Sequence, residues 1–279
     1  MDKLRLGKIS YTNMWPVTHF FNENKFSDNI DFIEQVPSQL NKKMSLGEID
    51  IGAISSFSYA EHADQYALLP NLSVSCFGII GSISLFLKTD INKLGDKKIA
   101  VTNTSLTSVN LLKIILEEFY NAIPEYISMK PSINDMMQLA DAALLIGDEA
   151  LLANIENKRT NRYTVVDLGE EWRQRTNHWM TFAVYAVRKN ALREQPELIN
   201  EIYKEFLNSK RLGYENIDLI IKAAMDRFNG SYDFWQNYFK GLSHDFDKEQ
   251  LNGLKFYYKM AKKIGLINEI PKIEVVDFS

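Results

Sequence analysis

Residues 10–16 of the chain read Ser-Tyr-Thr-Asn-Met-Trp-Pro, and the interpretation of the fold starts from this stretch. Before it, Leu4, Leu6 and Ile9 form a short apolar alternation that predicts a β-strand. After it, Pro16 suits the first turn of a helix, where no backbone N–H is needed. A strand that ends in hydroxyl and amide side chains and leads into a helix gathers hydrogen-bond donors at one point. We therefore expect a ligand site here.

The composition is that of an ordinary soluble protein. The 279 residues are enough for one large domain or two of ordinary size, and 46% are hydrophobic and 24% charged. Lys and Arg number 32 against 36 Asp and Glu, so the basic excess typical of nucleic-acid binding is absent and we expect no nucleic-acid partner. A small anionic molecule remains a suitable ligand, because helix N-termini bind anions locally.

The sequence also indicates a compartment. Residues 1–6 run directly into the first predicted strand and lack the seven to fifteen apolar residues of a signal-peptide core. No run of about 18 apolar residues is present to cross a membrane. Cys76 is the only cysteine, which excludes an intrachain disulfide and a cysteine-based metal cluster. We expect a cytoplasmic protein without a membrane partner, and the oligomeric state stays open.

Strands and helices alternate along most of the chain. A predicted strand at 49–54 ends in two serines, and another at 98–102 is followed by the polar turn 103–108 and a strongly periodic helix at 109–119. This alternation predicts an α/β fold with mostly parallel sheets, in which ligands bind beyond the carboxyl ends of the strands. We expect two domains that face each other across a ligand cleft.

Two alternating segments, at 79–88 and 181–188, are interpreted as crossings between the domains. They place residues 1–87 and 188–279 in one discontinuous domain and residues 88–187 in an inserted one. Within the first domain, residues 16–25 and the segment after Pro37 are predicted helices, with Ser38 as the N-cap of the second. Asp247 and Gln250 resemble a capping box, and the aromatic residues at 232–239 are expected to pack in the core.

No standard catalytic signature or metal-ligand spacing is present. Serines and threonines after strands serve as helix caps more often than as ligand contacts. Asn13 differs, because an amide directly before Met-Trp-Pro has less value as a cap. Asp148 and Glu149 suit general acid or base roles, but acidic residues are also favoured in the first turn of a helix.

The order of these motifs resembles one known family. The opening stretch resembles the S-Y-L-N-x-x-P start of the MqnA family, the chorismate dehydratases of the futalosine route to menaquinone. Similar segments follow in family order over nearly the whole chain, at 47–51, 78–85, 107–112, 146–151, 167–172 and 253–256. The naphthoate synthases of the same pathway carry a catalytic His near the position of Gly147, and its absence argues against that activity.

The resemblance implies a two-domain, type-II periplasmic-binding-protein-like fold used as an enzyme. It implies a carbon-oxygen lyase that removes water from chorismate in the interdomain cleft, without a metal or organic cofactor. Asn13 and Ser82 are the expected catalytic contacts. The residues expected to bind substrate are Ser10, Thr12, Ser56, Thr107, Ser108, Gly147 and Asp148.

Two departures from the family pattern concern the pocket. The opening stretch has Met14-Trp15 where smaller residues are usual, and residues 176–180 read Thr-Asn-His-Trp-Met where a T-G-L-P-like turn is expected. Trp15, His178 and Trp179 are therefore expected to reshape the pocket. The alternatives are a cytoplasmic binding protein or sensor for a small carboxylate, and a lyase of another cyclic carboxylate.

Overall fold

Two five-stranded sheets form the frame of the molecule, which a computed structural model describes for residues 3–278. In chain order the strands are β1 (Leu4–Lys8), β2 (Ile30–Glu34), β3 (Ile51–Ser55), β4 (Tyr66–Cys76), β5 (Ile83–Leu87), β6 (Lys98–Thr102), β7 (Glu125–Met129), β8 (Ala142–Ile146), β9 (Thr164–Asp167) and β10 (Met180–Arg188). The first sheet has the order β2-β1-β3-β10-β4, and the second has the order β7-β6-β8-β5-β9.

Helices connect and cover the strands, which confirms the predicted α/β class. They are α1 (Trp15–Thr18), α2 (Pro37–Ser45), α3 (Ser56–Glu61), α4 (Leu106–Tyr120), α5 (Ile133–Leu139), α6 (Gly147–Thr160), α7 (Leu168–Thr176), α8 (Lys189–Glu194), α9 (Pro196–Glu215), α10 (Ile217–Phe228), α11 (Tyr232–Gly241) and α12 (Lys248–Lys263). Short 3-10 turns occur at Thr12–Met14, Glu23–Phe26 and Ile91–Lys93. None of the helices within residues 3–278 is long and apolar enough to cross a bilayer.

The two sheets share one topology. In each, a single strand runs antiparallel to both of its neighbours, β10 in the first sheet and β5 in the second. Each of these strands directly follows one of the two passages of the chain between the sheets, at 77–82 and 168–179. The passages therefore end in strands that are inserted between two strands of the receiving sheet.

Sheet membership corrects the expected domain limits at both passages. Apolar alternation predicts β5 in the first domain and β10 in the second. Ile83, however, pairs with Ile146 in the second sheet, and Val184 pairs with Ile54 in the first. Alternation identifies a strand but carries no information on its partner, and both passages lie one strand earlier in the chain than it predicts. By sheet membership, the first unit holds 4–76 and 180–188 and the second holds 83–167.

The helix predicted at 16–25 is wrong, because α1 ends at Thr18 and a separate 3-10 turn follows. Phe21 and Phe26 stack on each other with ring centroids 5.7 Å apart, and Phe21 also contacts Phe206 of α9. Residues five apart on one straight helix point about 140° apart, so a continuous helix would separate these two rings. The N-cap predicted at Ser38 is also wrong: α2 begins at Pro37, with Val36 as its N-cap.

The C-terminal helices complete the core. The capping box of Asp247 and Gln250 is present at the start of α12, as predicted. Trp235, Tyr238 and Phe239 of α11 are buried, which confirms their predicted core role, whereas Tyr232 is exposed and its hydroxyl donates to Asp218. Helix α12 contacts both β10 of the first sheet and α4 of the second unit, so it packs across the two halves.

Helices α1 and α9 approach each other closely at Gly213. A Cβ added there would lie 2.1 Å from the Pro16 carbonyl oxygen, a distance that no side chain permits. Glycine at position 213 therefore lets α9 lie directly against Pro16, the last residue of the opening stretch. This contact packs the turn and short helix at residues 12–18 against α9.

Replacing Gly213 by alanine is expected to lower the free energy of unfolding by about 1–3 kcal/mol, because the new methyl group forces the two helices apart. The steric penalty outweighs the ~1 kcal/mol by which alanine stabilises a helix relative to glycine. Urea unfolding measures it. Gly95→Ala is the matched control, since a Cβ there meets Ala122 only at 3.9 Å. Wild-type stability of Gly213→Ala would contradict the close approach.

Candidate active site

A narrow cavity of about 60 Å³ lies between the two sheets, at the carboxyl ends of strands from both units. Its polar lining residues come from four different segments: Tyr11, Asn13, Ser55, Ser82, Ser105 and Ser108. Isoleucine, valine and phenylalanine side chains, among them Ile54, Val74 and Phe182, form the apolar walls. A larger cavity of about 690 Å³ lies beside α3 and residues 266–274, but none of the predicted site residues lines it.

Asn13 occupies the middle of the 3-10 turn that follows β1. Its Oδ1 atom is buried, and no other residue within 3–278 forms a hydrogen bond with it. Its backbone carbonyl accepts a hydrogen bond from His244 Nε2 at 2.6 Å. A buried oxygen without a partner costs about 1–3 kcal/mol, so this amide is suited to a donor group of a ligand.

Ser82 lies directly before β5 and is almost fully buried against the cavity. Its carbonyl oxygen accepts the Gly147 N–H at 2.7 Å, which joins it to the start of α6. Burial raises the pKa of Tyr238, while the nearby Ser82 and Thr12 side chains act to lower it. The Tyr238 phenol is therefore protonated at neutral pH and lies close to the Ser82 side chain.

Thr12 and Asp148 bond to each other across the two units. One Asp148 oxygen, Oδ1, accepts both the Thr12 backbone N–H at 3.0 Å and the Thr12 hydroxyl at 2.7 Å. Burial raises the pKa of Asp148, and the two Thr12 donors oppose that rise. Asp148 therefore holds the opening stretch against the first turn of α6, and this arrangement leaves neither residue lining the cavity.

Tyr11 is a cavity residue that the sequence analysis missed. Its ring lies on Gly147, where φ is +61° and an added Cβ would be 2.6 Å from the Tyr11 Cε2 atom. Burial, with the charge of Glu149 as the next contribution, raises the pKa of Tyr11 to about 12. Gly147 thus has a steric role: it makes room for an aromatic wall. The position of Gly147 next to Asp148 and Glu149 in the sequence did not indicate this, because the contact with Tyr11 is non-local.

Besides Thr12 and Asp148, three further predicted substrate-binding residues do not line the cavity. Ser10 is exposed, and its carbonyl oxygen accepts the Trp15 indole N–H at 3.2 Å. The Ser56 hydroxyl donates to the Thr181 carbonyl at 2.7 Å. The Thr107 hydroxyl accepts the Phe57 N–H at 2.8 Å, which is a second bond between the two units.

The neighbours of these residues line the cavity in their place. Ser55, one residue before Ser56, and Ser105, at the N-cap of α4, contribute polar groups together with Ser108. The turns named from the sequence do line the cavity, but in two of them a neighbouring hydroxyl lines it where Ser56 and Thr107 were predicted. The orientation of a side chain at a strand end changes with every residue, and only the three-dimensional path of the turn determines it.

The departures at Trp15, His178 and Trp179 were expected to reshape the pocket, and the structure corrects this. None of the three lines the cavity. His178 stacks on Phe256 with ring centroids 3.9 Å apart, and the Trp179 indole donates to Glu249 at 3.0 Å. Because these bulky side chains make their contacts away from the cavity lining, they do not form its walls.

Comparison with known proteins identifies the family. The sequence model for menaquinone biosynthesis matches residues 4–263. The chain belongs to this menaquinone biosynthesis family. A relative in it, the chorismate dehydratase of Thermus thermophilus, is 29% identical over 273 residues, which cover 94% of this chain and 95% of that protein.

Solved structures show the fold that the family uses here. Protein AF1704 from Archaeoglobus fulgidus aligns with a TM-score of 0.73 at 22% identity, covering 95% of this chain and 98% of that one. The periplasmic aliphatic sulphonate binding protein SsuA from Escherichia coli aligns with a TM-score of 0.65 at 16% identity, covering 98% and 96%. These similarities confirm the expected periplasmic-binding-protein-like fold.

The cavity of this family member combines neutral donors with apolar walls. No lysine, arginine, histidine, aspartate or glutamate is found among the cavity-lining residues within 3–278. An anion bound here would therefore be held by hydroxyl groups, an amide and the N-terminus of α4. Such a site orients a small, partly apolar anion and supplies hydrogen bonds to charge that develops on it.

The bond between the two units is open to a direct test. Thr12→Val keeps the size of the side chain but removes one donor to Asp148, and we expect a loss of about 1.5–3 kcal/mol in unfolding free energy at pH 7. In the wild type the Thr12 hydroxyl stabilises the charged Asp148 carboxylate. The difference in unfolding free energy between variant and wild type should therefore shrink as Asp148 becomes protonated at acidic pH. Urea unfolding at pH 4 to 7 measures both effects.

Thr160→Val is the control, because Thr160 is exposed and its hydroxyl donates only to a carbonyl of its own helix. It should change the unfolding free energy by less than about 0.5 kcal/mol. An equal, pH-independent effect of the two substitutions would show that the Thr12 hydroxyl contributes nothing to holding Asp148.

Proposed function

We propose that this protein is a chorismate dehydratase. It converts chorismate to 3-[(1-carboxyvinyl)oxy]benzoate and water in the cytoplasm, as a carbon-oxygen lyase of the futalosine route to menaquinone. The observation that carries the proposal is the cavity itself, in which an unpaired Asn13 amide and several serines face apolar walls. Membership of the menaquinone biosynthesis family and the chorismate dehydratase relative support it.

The proposed substrate suits this lining. Chorismate has an apolar ring face and two carboxylates, and the cavity offers apolar walls beside neutral donors. The hydroxyls of Ser105 and Ser108, at the N-terminus of α4, would bind one carboxylate, since the N-terminal end of a helix favours negative charge. Asn13, in the first unit, and Ser82, directly before β5, would then both face the reacting carbons.

The reaction is a balanced elimination. The C3–H bond breaks, its electron pair forms a ring double bond, and the C4–O bond breaks so that the hydroxyl leaves with a proton as water. The ring becomes aromatic, which supplies much of the driving force. No external electron acceptor is required, so the chemistry needs no redox cofactor.

The protein's part is positioning and hydrogen bonding. Because the cavity-lining residues within the described range 3–278 include no ionisable base other than the Tyr11 phenol, whose pKa is raised, we assign removal of the C3 proton to the enolpyruvyl carboxylate of the substrate. The Ser82 hydroxyl would donate to the leaving oxygen, Asn13 Oδ1 would accept the hydrogen of the substrate hydroxyl, and the Asn13 amide N–H would donate to the carboxylate that takes the proton. Holding reacting groups in place and excluding water provide the acceleration.

A carboxylate-binding protein or sensor is the second candidate. The uncharged lining favours it, because a receptor also binds its anion through hydroxyls and helix termini. Incubation of the purified protein with chorismate separates the two. Loss of the cyclohexadiene absorbance with appearance of the benzoate supports the dehydratase. Binding without turnover supports the sensor, and the absence of both indicates another cyclic carboxylate.

Asn13→Ala is expected to lower kcat for chorismate by about 10²–10³-fold, because it removes a preorganised hydrogen-bonding group from the reacting centre. Asn13→Asp, of equal size, should lose at least as much, since a carboxylate cannot donate and repels an anionic substrate. Steady-state kinetics with thermal unfolding measure activity and folding. Asn24→Ala is the matched control, at an exposed asparagine. Full activity of Asn13→Ala would refute its catalytic role.

Ser82→Ala should lower kcat by about 10²-fold with a smaller change in KM, since the hydroxyl is proposed to assist departure of the leaving group. Ser27→Ala provides the comparison, because Ser27 is exposed and its hydroxyl bonds only within its own turn. If Ser82→Ala changed KM alone, Ser82 would be a binding residue that does not stabilise the transition state.

A further inference from the structure

His244 is buried beneath the opening stretch and has no part in the chemistry proposed above. It is fully inaccessible to solvent, and its own backbone carbonyl accepts the Ser73 N–H at 3.1 Å on the edge of β4. Its imidazole lies between two groups from other elements, the Asn13 carbonyl and the hydroxyl of Tyr214 in α9. One side chain therefore joins the first sheet, a C-terminal helix and the turn that carries Asn13.

The positions of the hydrogens on the His244 ring follow from the groups that it contacts. A backbone carbonyl only accepts, so the 2.6 Å contact with Asn13 requires a hydrogen on His244 Nε2. In the neutral ring Nδ1 then carries a lone pair, and the Tyr214 hydroxyl donates to it at 2.8 Å. Both ring nitrogens are satisfied, and the ring is held in one tautomer and one orientation.

The surroundings keep the ring neutral. Burial lowers the pKa of His244 to about 4, and the Lys210 ammonium adds to this effect. The charged groups that face it are Lys210, which donates to the His244 carbonyl at 3.1 Å, and Asp245, which pairs with Lys210. Tyr214 is the remaining titratable neighbour, and it serves as the donor.

The turn that holds Asn13 has few other constraints at that residue. Thr12 is held by Asp148, and the Met14 N–H donates to the Tyr11 carbonyl at 2.9 Å. At Asn13 itself the side-chain Oδ1 has no hydrogen bond within residues 3–278, so the direction of the amide depends on the backbone. The carbonyl bonded to His244 is the backbone group that sets this direction.

We propose that Tyr214 and His244 form a positioning pair for the Asn13 amide: the Tyr214 hydroxyl orients the imidazole, and its Nε2–H holds the Asn13 carbonyl so that the amide faces the cavity. The inference rests on the proposed function for the identity of the reaction. It assigns two positioning residues that lie outside the cavity lining. Their contribution is to kcat, because they align a group that acts in the transition state.

The conservative pair His244→Gln and His244→Leu tests this role. Glutamine places an N–H donor near the position of Nε2 and keeps an acceptor for Tyr214, whereas leucine fills the space without either. We expect His244→Gln to keep kcat within about threefold of wild type. We expect His244→Leu to lower kcat by about 10²-fold while KM stays within about threefold, because a small misplacement of a reacting group has an effect of this size on the rate. Tyr214→Phe should lose about tenfold.

Tyr59→Phe is the control for loss of a buried hydroxyl, because the Tyr59 hydroxyl bonds Lys272 and Glu274 and does not line the cavity. Its kcat should equal that of wild type, and urea unfolding should show that every variant is folded at assay temperature. Unchanged kcat in His244→Leu would overturn the proposal. So would an equal loss in His244→Gln and His244→Leu, since the donor would then be irrelevant.

Nitrogen-15 NMR of the imidazoles tests the same arrangement without activity. The His244 resonances, assigned by their loss in His244→Gln, should show the neutral Nε2–H form at pH 7, and His244→Leu should shift the side-chain amide resonance of Asn13. An Nδ1–H or cationic ring, or an unmoved amide resonance, would refute the positioning. If wild type fails to convert chorismate, the proposed function fails, while these spectra still decide whether the pair positions Asn13.

Discussion

The buried carboxylate of Asp148, which accepts two hydrogen bonds from Thr12, is the interaction on which the candidate site depends. Asp148 belongs to the second unit and Thr12 to the first, so the bond brings the opening stretch against the start of α6. The neighbours follow from it: Tyr11 lies on Gly147 and Asn13 faces the cavity. A buried charge is retained at such a place only when it is well bonded, and here the bonds also close the site.

This arrangement divides the labour between neighbouring residues. Within the opening stretch, Thr12 connects the units, Tyr11 forms a wall, and Asn13 presents its amide to the cavity. The same division recurs at α4, where the Thr107 hydroxyl accepts a bond from α3 while Ser108 lines the cavity. Both of these turns therefore use one side chain to hold the units together and a neighbouring one to line the cavity. The proposed chemistry needs this rigidity, because it relies on orientation and on no strong base.

The sequence was sufficient for the α/β class, for most strands and for the turns that form the site, because these follow from local apolar periodicity and cap residues. Asn13, Ser82 and Ser108, which line the cavity, were candidates because of the family resemblance. Tyr11, Ser55 and Ser105 were missed, since side-chain direction at a strand end depends on the path of the turn. The sheet partners of β5 and β10, the break after Thr18 and the role of His244 depend on residues distant in sequence, which one chain read locally does not contain.

The exchange of strands between the sheets has a consequence for how the chain folds during synthesis. Strand β10 lies between β3 and β4, yet more than a hundred residues of the chain separate it from each of these two strands. Until residue 188 has left the ribosome, the facing edges of β3 and β4 stay unpaired, because their common neighbour has not been made. The first sheet therefore cannot be completed before the second unit has been translated. The unpaired edges of β3 and β4 need protection from aggregation during that interval.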